Sequence, residues 1–117
     1  NMIYEMNLAN DPFVLIKNGK KDIEMRLYDE RRKPIKIGDE ILFTNNQTKE
    51  QLKVVVKNLY VFPSFKELYA YFDHKRLGYE RSDEGQPSDM EIYYSYELIE
   101  KNQVLAIEIK KKRENYM

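Results

Sequence analysis

The chain has 117 residues, a length that fits one compact domain and excludes two independent hydrophobic cores. Its 20 basic and 20 acidic residues balance, and 42% of the residues are hydrophobic, which indicates a globular protein and excludes a disordered chain. Cysteine is absent and histidine occurs once, which excludes disulfides, thiolate zinc sites and multi-histidine metal sites. Because no apolar run approaches a membrane helix and no signal peptide is visible, we expect a cytoplasmic protein that uses no cofactor or metal.

The first predicted elements are a strand and a short helix. Residues 4–8 alternate between apolar and polar side chains, the pattern of a strand with one buried face. Asp11 and Pro12 then indicate a helix start and Gly19 a helix stop, with Phe13 and Ile16 spaced to face the core. The sequence therefore predicts a helix of two turns before residue 19.

A second strand is predicted from residues 21–28. The apolar side chains at positions 23, 25 and 27 share one face, and Asp22, Glu24 and Arg26 share the other. We expect the apolar face to join the core and the charged face to lie open to a cleft.

The middle of the chain predicts a hairpin. A polar turn at residues 29–33 leads to an apolar strand at 40–44, a turn at 45–47 and a second arm from residue 52 to about residue 60. The second arm contains three consecutive valines, which places it at the centre of the predicted sheet.

Two helices and a final strand are predicted in the last third. Ser64 with Glu67, and Ser88 with Glu91, have the spacing of capping boxes ahead of apolar residues. The polar segment 78–87 between the two helices is interpreted as a mobile loop, and a strand at 104–109 ends the pattern. The basic residues 110–113 either contact phosphates or form a solvated end.

This order of elements predicts an α+β fold, in which a small barrel buries the edges of the sheet. Residues 2–110 are predicted to form a single domain and residues 111–117 a basic C-terminal tail.

Charge is concentrated around the second strand. Residues 17–36 contain eight basic and four acidic side chains, so a neutral chain is expected to have one basic side. On a strand Glu24 and Arg26 project to the same face, and Lys21 can reach over them. An ammonium, a carboxylate and a guanidinium in one place suit a nucleotide, although the same side chains also fit an ordinary surface ion pair.

The spacing Gly19-x-Lys21-x-x-Glu24-x-Arg26 resembles the GxKxxExR motif of the ASCH family, relatives of the PUA RNA-binding domain. Further matches are Pro12-Phe13 before the motif, and Ile37-Gly38-Asp39, Phe43 and Ser64-Phe65 after it. The resemblance spans roughly residues 3–109. It implies a PUA-like β-barrel with a short N-terminal helix and two later helices at its mouth, and a basic cleft that binds RNA or a modified nucleoside.

Some short bacterial relatives are similar to amidohydrolases that deacylate acetylated cytidine with a lysine, a threonine three positions later and a distant glutamate. Lys21 matches the lysine, but Glu24 occupies the threonine position, and only Glu80 and Glu84 are candidates for the distant acid. The family name also leaves a coactivator-type protein-interaction module as a third reading.

The resemblance and the charge pattern together define the candidate site. Tyr79, beside Gly78 in the polar loop, is a tyrosine on which a base is expected to stack. The candidate ligand-binding residues are Gly19, Lys21, Glu24, Arg26, Arg31, Arg32, Lys33 and Tyr79, and Lys21 and Glu24 are also the candidate catalytic pair.

Overall fold

The computed structural model describes residues 1–112, which fold into five strands, four α-helices and one 3-10 helix. In chain order the elements are β1 (Ile3–Leu8), α1 (Asn10–Lys17), β2 (Ile23–Leu27), β3 (Glu40–Asn45), β4 (Gln51–Phe62), α2 (Phe65–Tyr71), α3 (His74–Leu77), the 3-10 helix (Pro87–Ile92), α4 (Tyr96–Asn102) and β5 (Val104–Lys111).

The strands form one curled sheet with the order β1-β3-β4-β5-β2. β1 pairs with β3 in parallel, and the other three ladders are antiparallel. The valine-rich strand β4 lies at the centre of the sheet, as its sequence predicts. The predicted α+β class is therefore confirmed, and the barrel-like sheet has the form of a half barrel.

Two hydrophobic clusters cover the two faces of this sheet. Alternate residues of β5 supply them: Leu105 and Ile107 join the cluster under α1, whereas Val104 and Ala106 join the cluster under α2 and α3. Phe13, one of the two predicted core residues of α1, is 0% exposed. Burial on both faces explains why β5 is apolar without a break from residue 104 to 107.

β2 follows the predicted alternation with one departure. Ile23, Met25 and Leu27 are buried against the second cluster, as expected. Glu24, however, is only 5% exposed, so the charged side of this strand is largely covered. The departure is part of the site described below.

The helix predicted from Ser88 and Glu91 is wrong in its start and its type. Gln86 precedes the first turn instead: its amide donates to Asp89 Oδ2 at 3.1 Å, the Asp89 amide donates to the Gln86 carbonyl at 2.9 Å, and a 3-10 helix starts at Pro87. α4 begins separately after Ser95, whose hydroxyl accepts a 3.3 Å hydrogen bond from the Leu98 amide. By contrast, α2 starts directly after Ser64, as predicted.

The loop predicted to be mobile is bonded back onto α3. The His74 amide donates to the Ser82 carbonyl at 3.1 Å, and His74 Nδ1 accepts from the Gly85 amide at 3.2 Å. Ser82 Oγ also donates to Asp73 Oδ2 at 3.1 Å. These contacts give the segment a defined path, because polar groups of the loop have partners inside the fold.

The end of the described chain is more ordered than a solvated tail. β5 continues to Lys111, and Lys112 Nζ lies 2.6 Å from Glu40 Oε2 at the start of β3. The remainder of the predicted tail, residues 113–117, lies outside the described residues. Within the described range, no helix combines the length and apolar character needed to cross a membrane.

Candidate functional site

A cleft of about 590 Å³ opens where the end of β1, the start of α1, β2, α3 and the 3-10 helix meet. This volume lies within the roughly 300–1,000 Å³ typical of small-molecule sites. The lining side chains include apolar, aromatic and charged groups, and the residues that carry the argument below are Asn7, Asp11, Lys21, Glu24, Arg26, Gly78, Tyr79, Asp89, Tyr93 and Tyr94.

Three motif residues form an ionic chain in the cleft. Arg26 Nε donates to Glu24 Oε2 at 2.8 Å, and Lys21 Nζ lies 3.5 Å from Glu24 Oε1. Arg26 Nη2 also donates to the Asn7 carbonyl at 2.8 Å, which ties β2 to the end of β1. The predicted grouping of Lys21, Glu24 and Arg26 is therefore present, with Glu24 bridging two cations.

Among residues 1–112, Lys21 is the most deeply buried cation. Its side chain is 5% exposed, and its ammonium donates to the carbonyls of Ile23 at 2.6 Å and Leu77 at 2.9 Å. Burial lowers the pKa of Lys21, and the neighbouring Glu24 carboxylate opposes that shift. The ammonium thus joins the start of β2 to the end of α3.

Two glycines with positive φ flank this lysine, one before it in the motif and one across the fold. Gly19 (φ +81°) follows α1, and a Cβ built there would have no heavy atom within 4 Å. Gly78 (φ +113°) ends α3, and a Cβ there would lie 3.2 Å from Lys21 Cδ. Gly19 therefore serves the turn into β2, while Gly78 allows α3 to pack against the lysine side chain.

Arg31, Arg32 and Lys33 do not join the ionic chain. Arg31 and Arg32 line a separate hollow of about 250 Å³ beside β1. Arg32 Nη1 donates to Asp29 Oδ2 at 2.8 Å, and Lys33 Nζ lies 3.1 Å from Glu30 Oε1. Arg32 and Lys33, which were predicted to bind ligand in the cleft, are therefore paired with acidic neighbours in the turn.

Among the described residues, the lining of the cleft does not have an excess of basic side chains. Its lining contains two cationic side chains, Lys21 and Arg26, and three carboxylates, Asp11, Glu24 and Asp89. The excess of basic residues between positions 17 and 36 is spread over other surfaces. A ligand with several phosphates therefore gains little from this lining.

Tyr79 lines the cleft, as predicted, but it forms part of a hydrogen-bonded series. Its hydroxyl donates to Asp89 Oδ2 at 2.7 Å and lies 2.8 Å from the hydroxyl of the buried Tyr69. Since the Tyr79 proton is engaged by Asp89, the Tyr69 hydroxyl donates to Tyr79. Burial and these hydrogen bonds raise the pKa of Tyr79, which keeps the phenol neutral.

Several cleft residues were not predicted from the sequence. Asp89, Tyr93 and Tyr94 come from the 3-10 helix and its end, about 70 residues after the motif, and Asn7 comes from β1. Glu80 and Glu84, the predicted distant acids, are not among the lining residues. The sequence pattern Gln86-Pro87-x-Asp89 could have indicated the start of the 3-10 helix, and with it the element that brings Asp89 to the cleft.

The half-barrel sheet and its cleft of paired charges and tyrosines define an α+β domain of a known type. The sequence profile of the ASCH domain matches residues 6–113. The chain therefore belongs to the ASCH domain family. No curated protein matches the chain at a significant level.

Solved structures agree with this assignment. The chain is 40% identical to the hypothetical protein PH0355, over 95% of this chain and 100% of that one, with a TM-score of 0.83. It is 38% identical to PF0455 from Pyrococcus furiosus, over 94% and 97% of the two chains, with a TM-score of 0.67. A mutant of ZmASCH from Zymomonas mobilis is 14% identical over 92% and 67% of the two chains, with a TM-score of 0.63, and supports the fold alone.

Proposed function

We propose that the cleft binds a nucleoside, either free or as one unit of an RNA strand. The observation that carries the proposal is the combination, in one cleft of about 590 Å³, of the Lys21–Glu24–Arg26 chain with three tyrosines. Aromatic faces bind bases by stacking, and fixed donors and acceptors read their polar edges.

Arg26 supplies the donors in this proposal. Of its five N–H groups, one bonds Glu24 and one bonds the Asn7 carbonyl within the described residues. Its side chain is 14% exposed, and it lines the cleft. The remaining N–H groups are available to a carbonyl oxygen or ring nitrogen of a base, and Glu24 holds the guanidinium in a fixed orientation.

The charge of the lining favours a nucleoside unit over a long stretch of phosphate backbone. Three carboxylates outnumber the two cations among the described lining residues. Tyr93, which is 63% exposed at the cleft, offers a ring face to a base. We therefore assign recognition to the base and sugar, with phosphate contacts contributing little.

The proposal is tested by Arg26→Ala, with Arg81→Ala as the matched control. Arg81 is 76% exposed and does not line the cleft. We expect Arg26→Ala to weaken nucleoside binding about tenfold, because hydrogen bonds from a charged donor are lost, and Arg81→Ala to leave it unchanged. The measurement is an NMR titration with the four ribonucleosides.

Because Arg26 also pairs with the buried Glu24, each variant is first checked for a cooperative thermal transition. If Arg26→Ala does not fold, Arg26→Lys replaces it, since lysine keeps the charge but loses the planar set of donors. Unchanged affinity in a folded Arg26 variant, or no nucleoside binding by the parent protein, rejects the proposal.

A second candidate function is hydrolysis of an acylated cytidine, and the environment of Lys21 is the observation that favours it. Burial lowers the pKa of this lysine, and a carboxylate stands beside it in the cleft. Incubation with acetylated cytidine, followed by chromatography, tests this candidate. A product formed by the parent protein and absent with Lys21→Ala supports hydrolysis, and equal backgrounds in both reject it.

A further inference from the structure

Asp89 is a carboxylate of the cleft that is held in place from one side. Its Oδ2 accepts the Tyr79 hydroxyl at 2.7 Å and the Gln86 amide at 3.1 Å. Behind Tyr79, the hydroxyl of Tyr69 completes a series that runs into the second hydrophobic cluster. The carboxylate therefore has a fixed orientation, although Asp89 itself is exposed.

The two oxygens of Asp89 differ in their surroundings. Oδ2 has the two donors described above, whereas Oδ1 has no hydrogen-bond partner and no cation within 4.0 Å among residues 1–112. Glu24 has the opposite arrangement, because each of its oxygens faces a cation. Asp89 is thus held in one orientation, and its Oδ1 can still accept a hydrogen bond from a ligand.

We infer that Asp89 Oδ1 accepts a hydrogen bond from the ribose 2′-hydroxyl, so that the cleft distinguishes ribonucleosides from 2′-deoxyribonucleosides. This inference rests on the proposed function. Tyr79 and Gln86 are the positioning residues that aim the carboxylate, and the sugar lies beside the 3-10 helix while the base extends toward Arg26.

The chemistry of the group fits this role. An ionised carboxylate accepts hydrogen bonds without donating any, and a ribose hydroxyl is a neutral donor that needs no countercharge. Acidic side chains recognise the ribose 2′-hydroxyl in dinucleotide-binding folds, and that hydroxyl separates RNA from DNA. The amide of Gln86 and the Tyr79 hydroxyl hold the pKa of Asp89 below its usual value, so the acceptor is ionised at neutral pH.

Asp89→Asn is the most informative variant. Its amide oxygen can take the place of Oδ2 and keep the bonds from Tyr79 and Gln86, which turns the NH₂ group toward the position of Oδ1. The ligand-facing acceptor then becomes a donor while the loop is retained. Asp83→Asn is the matched control, because Asp83 is an exposed aspartate of the polar segment just before the 3-10 helix and does not line the cleft.

The experiment compares the Kd of each of the four ribonucleosides with that of its 2′-deoxy counterpart, using deoxyuridine against uridine, by NMR titration. We expect the parent protein and Asp83→Asn to prefer the ribose form about tenfold. Asp89→Asn should reduce this preference to within about twofold, and Tyr79→Phe should reduce it partially by releasing the carboxylate.

The possible results separate the two proposals. Nucleoside binding with no sugar preference, or a preference that survives in Asp89→Asn, overturns the role of Asp89 and leaves the proposed function standing. Absence of binding to every nucleoside overturns the proposed function itself. Loss of the preference in Asp89→Asn but not in Asp83→Asn supports the inference.

Discussion

At the scale of single residues, Glu24 has the environment of an internal brace. Its carboxylate is buried and lies between Lys21 and Arg26, at 3.5 Å and 2.8 Å. Burying charges is costly, and this arrangement is tolerated because each charge has an opposite neighbour. Glu24 therefore orients two cations in this chain.

We predict that Glu24→Gln lowers the free energy of unfolding by about 3 kcal/mol, because the buried Lys21 and the partly buried Arg26 lose their countercharge. Urea denaturation measures the loss. Glu30→Gln is the control, since Glu30 is 90% exposed in its pair with Lys33, and its change should stay within about 0.5 kcal/mol. Equal, small losses in both variants would show that Glu24 does not act as a brace.

The residues of the site were predictable only where they are neighbours in sequence. Glu24 and Arg26 are two positions apart on a strand, so alternation alone places them on one face. Asp89 and Tyr79 reach the same cleft through the packing of α3 and the 3-10 helix, which local sequence does not encode. Arg31 and Arg32 are near the motif in sequence but line a separate hollow beside β1, where Arg32 pairs with Asp29.

At the scale of elements, α3 is attached closely to the start of β2. The Asp22 amide donates to the Arg76 carbonyl at 3.1 Å, and Lys21 Nζ donates to the Leu77 carbonyl. Arg76 Nε also donates to Asp22 Oδ1 at 2.9 Å. Although α3 has only four residues, these contacts define where the following Gly78 and Tyr79 lie.

We predict that Gly78→Ala destabilises the protein more than Gly19→Ala does. Both alanines would have a positive φ, which costs about 1–2 kcal/mol. Only the Gly78 variant also brings a Cβ to 3.2 Å from Lys21, whose ammonium is fixed on two carbonyls. Urea denaturation of both variants should give a loss about 1 kcal/mol larger for Gly78→Ala. Equal losses of unfolding free energy in the two variants would mean that the Lys21 side chain shifts away from the new Cβ without destabilising the fold.

Most element types followed from local patterns. α3 was not predicted as a separate helix, and the helix predicted from Ser88 was wrong for a local reason. Period-two alternation predicted β1 and β2, and the valine run predicted the central position of β4. The Ser88–Glu91 spacing failed because Gln86 and Pro87 provide an earlier start, and Ser95 provides a later one. Gln86 and Ser95 are the N-caps in the structure, in place of the predicted Ser88, so two short helices form where one was predicted.

At the scale of the whole molecule, charge is balanced and dispersed. The chain has 20 basic and 20 acidic residues, and the paired turn at residues 29–33 contributes little free charge to the cleft. Within residues 1–112, the cleft lining therefore lacks the concentrated positive charge on which tight, nonspecific binding of nucleic acid depends.

We predict that nucleoside affinity changes by less than about twofold between 50 and 200 mM salt, because few counterions are released. A protein with 6–10 phosphate contacts would lose about 10³–10⁵ in affinity over the same range. Parallel titrations with uridine and a short uridine-containing RNA measure this dependence. A steep decline with the RNA would assign its binding to surfaces outside the cleft, such as that of Arg31 and Arg32.

The strand order has a consequence for how the protein emerges from the ribosome. β2 pairs with β5 alone among the described strands, although about 80 residues separate them in the chain. The β3–β4 hairpin can form early, whereas β2 has no ladder until residues 104–111 have been synthesised. Within this domain, Glu24 and Arg26 therefore precede their pairing partner by about 80 residues, and they reach their native positions only after β5 is available.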